Sequence, residues 1–310
     1  MAAPDDERLV AARTLRIDAS SAKVVSALTA AGVETILLKG PGIVRWFYGD
    51  AARSYVDCDL LVDPGDRSRA VDVLSAAGYR EITPPDRSLV HATAWIHADE
   101  PAEIDLHTSM QGAGVSPVDA WGVLRAHAVT VDLVGTPVRI LDRVATTVNI
   151  ALHAAHHGVA NQKPLEDLRR VVDQLSDQEW RAAAALAARL RASPAFAAGL
   201  RLLPEGKRIA EELRLPAETP VAVALALAAA PPGAFAMAQL VGVRGLRAKA
   251  ALAARRLVPP AIWMRAFHPL ARRGRLGLAA AYALRPLLLL LRAGPELAAW
   301  VRVRRDHATR

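Results

Sequence analysis

Three carboxylates in this chain are spaced so that strand geometry would let them act together. Asp57 and Asp59 flank Cys58 in Val56-Asp57-Cys58-Asp59-Leu60-Leu61-Val62, a short apolar run interrupted only by its acids. Side chains alternate faces along a strand, so Asp57 and Asp59 share one face and Cys58 takes the other. Paired carboxylates repel each other, and a divalent cation between them removes that penalty. Their hard oxygens suit Mg²⁺ or Mn²⁺. Asp105 lies in a second acidic alternating run, Glu103-Ile104-Asp105-Leu106-His107, in which Glu103, Asp105 and His107 share a face. If the two runs are neighbouring strands, Asp105 completes a three-carboxylate cluster with Asp57 and Asp59. Such a cluster can hold two metal ions, one activating an attacking oxygen and one stabilising the leaving oxygen. His107 either contacts substrate or orients the carboxylate. Cys58, on the opposite face, is expected to pack as a small hydrophobe.

The sequence just upstream supplies the complementary charge. Leu37-Leu38-Lys39-Gly40-Pro41 reads as a strand ending in a turn. A glycine there lets backbone approach a phosphate closely. Lys39 offers a point charge to a triphosphate. Arg53, four residues before Asp57, is either a second cation for the phosphates or a salt-bridge partner for Asp57. His153 and His157 stand four apart on one expected helix. No Glu follows the first as a zincin motif requires, so they read as interface packing or as contacts to nucleotide from a second domain. The sequence contains no Gly-X-Ser-X-Gly, no P-loop and no dinucleotide fingerprint.

Short strands and turns must position these groups. Apolar positions at three- and four-residue steps predict a helix over 5–31, stopped by Gly32. Strands are expected at 35–38, 56–62, 79–82, 91–97 and 103–107, with helices over 41–48, 66–77 and 117–126. Val134-Gly135-Thr136 should close a hairpin between 129–133 and 137–141. From about residue 142 the pattern is helical throughout: 142–158, 164–175, 177–192, 194–213, 218–230, 234–256, 260–272 and 275–292. The fold class is therefore α+β: a mixed-sheet domain over 1–141, then an α-helical domain over 142–310, with the site in the cleft between them.

The order of these parts resembles a known plan. A strand ending in glycine, a helix, a hydrophobic-Asp-X-Asp-hydrophobic strand and a later strand aspartate make up the polymerase-β-like nucleotidyltransferase superfamily. More narrowly, LLKGPGIVRWFYGDAARSYVDCDLLVDPGD, then AAGYR, then EIDLHT, resembles the uncharacterised bacterial nucleotidyltransferase family over residues 33–110. Fainter likeness, in His153 and LEDL at 165–168, continues to about residue 175 and raises Asp167 as a supporter of the site. The resemblance implies metal ligands at Asp57 and Asp59, a third carboxylate at Asp105 that can act as base, a turn glycine at Gly40 and basic positions at Lys39 and Arg53. It implies transfer of an NMP from an NTP to an acceptor that the sequence does not identify. Some members accompany lasso-peptide or polysaccharide gene clusters, so a natural-product or polysaccharide pathway is the expected setting. One position departs from the superfamily: Pro41 stands where Ser or Gly is usual and gives phosphate no donor. Phosphate handling then falls to Gly42, Lys39 and Arg53. The second reading is a catalytically inactive member that binds a nucleotide, a partner or a membrane surface.

Composition bounds the rest. At 52% hydrophobic and 23% charged residues, the chain is globular rather than disordered. A lone cysteine excludes an internal disulfide and a Cys-based zinc site. No apolar secretory region opens the chain, so the cytoplasm is the expected compartment. The most apolar run, Leu276 to Leu291, has 16 residues and includes Arg285 and Pro286. That is short of the roughly 20 needed to cross a bilayer, so no transmembrane span is expected. The net charge of +8 is lopsided: residues 234–310 carry +13 and the rest −5. The basic C-terminal helices read first as bundle helices with a solvated basic side, next as a surface for an anionic membrane or an acidic partner, and last for a nucleic acid, since aromatic residues are sparse there.

Overall fold

Seven short strands build one mixed sheet in the order β3-β4-β5-β2-β1-β7-β6. The computed structural model describes residues 4–49, 51–82, 92–243 and 245–308. In chain order the elements are α1 (Pro4–Ala30), β1 (Thr35–Leu37), α2 (Pro41–Phe47), β2 (Asp57–Val62), α3 (Arg67–Ala76), β3 (Arg80–Glu81), β4 (Ala92–Ile96), β5 (Glu103–His107), α4 (Pro117–Arg125), β6 (Ala128–Leu133) and β7 (Thr136–Leu141). Helices follow: α5 (Arg143–His157), α6 (Gln162–Gln174), α7 (Asp177–Arg189), α8 (Ser193–Leu200), α9 (Pro204–Glu212), α10 (Val221–Leu227), α11 (Pro232–Gly242), α12 (Leu246–Leu257), α13 (Ala261–Phe267) and α14 (Gly274–Ala308). His91, at the edge of the expected strand 91–97, lies outside the described residues.

The pairings bring the two acidic runs side by side. β2 pairs parallel with β5, and β1 pairs antiparallel with β2 and parallel with β7. The hairpin joining β6 and β7 turns on Val134 and Gly135, both at positive φ, as a two-residue primed turn requires.

Alternation along β2 and β5 sorts the core into two layers. Cys58, Leu60 and Val62, with Ile104 and Leu106, pack on Ile17, Val24 and Leu28 of α1 and on Leu74 of α3. Cys58 is buried there, and burial raises its thiol pKa, as suits a hydrophobe rather than a nucleophile. The other face, with Ile36, Leu38 and Leu61, packs on Val148 and Leu152 of α5, Trp180 and Leu186 of α7, and Phe196 of α8. The sheet ends at Leu141, where the composition changes, yet the helices beyond it close over the same core as far as Val223 of α10.

Four helix expectations need correction. The one over 260–272 breaks at His268, whose backbone is extended ahead of a 3₁₀ turn over Pro269–Arg272. The single helix expected over 194–213 is two, because Pro204 has no N–H to continue α8 and instead starts α9. The one expected over 234–256 is also two, since Gly245 takes φ +88° ahead of α12. α14 does not stop near residue 292; it runs through Pro286 and Pro295, both on its exposed side, to Ala308. Its stretch Gly274–Arg305, 32 residues, is long and apolar enough to cross a membrane by length and composition. The shortness on which the expectation of no span rested therefore does not hold.

Candidate active site

Register, not sequence proximity, sets the acid cluster. Asp59 lies opposite Asp105 across the β2–β5 pair, Asp57 opposite Glu103, and Leu61 opposite His107. Neighbouring strands are about 4.8 Å apart, whereas same-face residues on one strand are about 6.6 Å apart. Asp59 is thus closer to Asp105 than to Asp57 in the pleat. The donor atoms of Asp59, Asp105 and His107 come within 4.8 Å of one another. Asp57, at the first residue of β2 and half-buried, lines the same cavity but stands outside that compact group. His107 thus joins the compact group, and Asp57 lines the cavity beside it.

Asp59 is the buried centre of this cluster, only 2% exposed. The Lys39 ammonium donates to its Oδ1 at 2.7 Å, and His107 Nε2 is 3.1 Å from the same oxygen. Its Oδ2 is buried without a hydrogen-bond partner. Burial pushes the carboxyl pKa up, but Lys39 and His107 outweigh it and hold Asp59 well below the usual carboxylate range. Asp105 goes the other way: burial, then the Asp59 charge, raise its pKa. Lys39 is raised, because Asp59 overcomes the burial that disfavours its charge. Two close carboxylates, one with a buried unpartnered oxygen, fit a hard divalent cation.

The turn above the acids is held from two sides. Leu38 N–H donates to the Asp59 carbonyl at 3.0 Å, and Asn149 Nδ2 of α5 donates to the Leu38 carbonyl at 2.7 Å. Gly40 then takes φ +58°, and a Cβ there would sit 3.2 Å from the Tyr55 ring. Gly40 lines the cavity. Gly42 is buried one residue into α2, where a Cβ would meet Ile140. Pro41 fits as the first residue of α2, whose N–H would have no helical partner in any case.

Arg53 does not pair with Asp57. Its Nε and Nη2 donate to the two oxygens of Asp167 at 2.8 and 2.7 Å, and Tyr48 donates its hydroxyl to Asp167 Oδ1 at 2.7 Å. The pair is buried and ties the loop before β2 to α6. Arg53 still lines the cavity, with its Nη1 buried and unpartnered. The supporting role raised for Asp167 in the sequence thus has a partner: the arginine itself.

These groups open on a cavity of about 490 Å³. Lys39, Asp57, Asp59, Asp105 and His107 line it, together with His153, His156 and His157 of α5, Lys163 of α6 and Arg256 of α12. Burial and the nearby Lys39 push His153 well below the ordinary histidine value, so it stays neutral. Burial, then Arg53, lower Lys163. Lys163 and Arg256 were missed in the sequence because nothing in their spacing marks them; only the packing of α6 and α12 around the cavity does.

A mixed sheet carrying aspartates on paired parallel strands beneath a Lys-Gly turn, closed by helices, defines a nucleotidyltransferase-type architecture. The chain belongs to the uncharacterised nucleotidyltransferase family, whose sequence model matches residues 5–205. It is similar to the solution structure of the antibiotic-resistance factor ANT(2'')-Ia, at 16% identity and a TM-score of 0.42, over 56% of this chain and 93% of that one. It is also similar to the crystal structure of ANT(2'')-Ia in complex with adenylyl-2''-tobramycin, at 17% identity and a TM-score of 0.39, over 54% and 94%. No curated protein matches the chain.

Proposed function

We propose that this protein is a working metal-dependent nucleotidyltransferase that moves an NMP from an NTP to an acceptor hydroxyl or phosphate. The observation that carries the reading is Asp59: buried, ionised and in register with Asp105, with one carboxylate oxygen left without a partner at the floor of the cavity. Asp59 and Asp105, with Asp57 at the rim, would hold Mg²⁺ or Mn²⁺, which when bound supplies positive charge for the triphosphate and the developing pyrophosphate.

The chain's own residues do the rest. Lys39, the unpartnered Nη1 of Arg53 and Lys163 offer cationic donors to the phosphates, and Gly40 lets the chain approach them. His107 steadies Asp59 through Oδ1 and faces the cavity, in reach of substrate. Asp105, its pKa raised, accepts the proton of the acceptor hydroxyl. The freed oxygen bonds to the α-phosphorus, the bond from that phosphorus to the bridging oxygen breaks, and pyrophosphate leaves. Consumption of NTP and a single buried thiol both suit a reducing cytoplasm.

The test is release of pyrophosphate from labelled NTPs, each with and without Mg²⁺, against a panel of acceptors. Metal-dependent release supports the reading. No turnover together with no metal-dependent nucleotide binding removes it. Nucleotide binding without turnover favours the inactive member, the reading to which Pro41 lends weight.

A further inference from the structure

The last helix has two faces with different surroundings. Leu278, Ala281, Tyr282, Arg285 and Leu289, at helical spacing, turn inward, as does Trp300 three turns on, and α14 packs on α10, α11, α12 and α13. The Tyr282 hydroxyl donates to the Pro259 carbonyl at 2.6 Å. Arg285 donates to the Arg256 carbonyl at 2.7 Å and lies over the Trp263 ring. The opposite face is bare: Leu276 is 87% exposed, Leu290 72% and Leu291 69%, with Leu284, Leu287 and Val301 also exposed.

At 3.6 residues per turn, these exposed apolar residues fall within about half of the helix circumference. Between Leu276 and Val301 that half contains only Leu, Ala, Gly, Pro and Val; the charged residues of the stretch, Arg285, Arg292 and Glu296, fall outside it. The stripe is about 38 Å long at about 1.5 Å per residue. An apolar surface this extended marks an interaction site. Its two ends are basic, with Arg272, Arg273 and Arg275 before it and Arg302, Arg304 and Arg305 after it.

We propose that α14 seats this protein on an anionic lipid bilayer, lying in the plane of the interface with its leucine face in the acyl boundary and its arginines among the headgroups. The occupant follows from the charge: the segment from residue 234 carries +13, while the rest of the chain carries −5 and would be repelled by the same surface. A spanning orientation fits less well, because Arg285 and Glu296 on the packed face, and α10 to α13 behind them, would have to enter the hydrocarbon.

The experiment is flotation of the full chain with vesicles of phosphatidylcholine alone or mixed about 3:1 with phosphatidylglycerol, at low and high salt. The floated fraction is expected to be about tenfold higher with the anionic vesicles and to fall as salt rises. Leu287→Glu with Leu291→Glu should cut it about tenfold. Both residues are exposed, so helicity and any nucleotide binding should stay unchanged. Four results would overturn the proposal: no flotation; equal flotation with neutral vesicles; flotation unchanged by the double substitution; or retention through high salt and alkaline carbonate, which marks a span. A dimer that the same substitutions dissociate, without flotation, would assign the face to a second copy of the chain.

Discussion

Residues 5–205 and the last quarter of the chain are both rich in alanine, leucine and arginine, yet they put these residues to opposite uses. In the first region the sheet gives the helices a surface to close on, and Phe47, Phe196, Leu28 and Ile104 are fully buried. In the last, the corresponding cluster centres on three residues, Met264, Ala271 and Ala281, and leucines line the outside. The charge divides the same way: acids in the region that holds the cavity floor, bases in the region that ends the chain. Apolar composition therefore does not distinguish core from interface here; the partner surface that the fold supplies does.

The sharpest way to separate the two regions is at the cavity floor. Asp59→Asn keeps the side-chain shape and removes the charge. If the reading is right, pyrophosphate release falls by several kcal/mol of transition-state stabilisation, roughly a thousandfold or more, while flotation with anionic vesicles is unchanged. Asp57→Asn tests the same reading from the half-exposed rim. Full activity in either variant removes the metal assignment.

Next in size is Asp167→Ala. It leaves the Arg53 guanidinium buried with no carboxylate and takes the partner from Tyr48. Removing one member of a buried pair costs about 3–5 kcal/mol, read by denaturant unfolding. Asp167→Asn keeps hydrogen bonds but not the charge and should fall between the variant and the parent. A loss under about 1 kcal/mol for the alanine variant would mean that the pair is solvated.

How far the sequence reaches differs between these residues. Asp59 and Asp105 were legible because strand alternation is strict and both runs carried acids at the same phase. Which residues stand opposite each other was not, because register is not encoded in either strand alone; the reach of the side chains then puts His107 in the compact group, with Asp57 lining the cavity beside it. Arg53 was legible as a cation, but its partner, 114 positions away, appears only when α6 packs against the loop before β2. Helix ends were legible at Gly32 and missed at Pro204 and Gly245. The far end of α14 was missed: the expected helix ended at 292, just before Gly294-Pro295, whereas the helix continues through Pro295, which lies on its exposed side.

A smaller effect belongs to Gly40. Alanine there must hold φ +58° and bring its Cβ against the Tyr55 ring. With ψ −110° the backbone lies outside the left-handed helical basin, in a sparsely populated region that costs an L-residue about 1–3 kcal/mol. Because Gly40 also lines the cavity, the NTP KM should rise with the loss of stability, whereas Gly135→Ala, in the β6–β7 hairpin with open space around it, should cost stability alone. A KM that moves equally in both would make Gly40 a purely structural glycine.

The smallest effect is the most telling for the comparison. Leu291→Ser on the exposed face of α14 should change stability in lipid-free solution by no more than about 0.5 kcal/mol, because the side chain is already in water. Phe196→Ala in α8 should cost about 3–5 kcal/mol, because the ring is fully buried and leaves a cavity. With anionic vesicles present the contrast should reverse: Leu291→Ser now removes a contact with the bilayer and lowers flotation, by less than the double glutamate substitution does, while the folded fraction of Phe196→Ala floats as the parent does. If Leu291→Ser instead destabilises the lipid-free protein by several kcal/mol, the leucine face is covered within the protein itself, and the contrast between the two regions disappears.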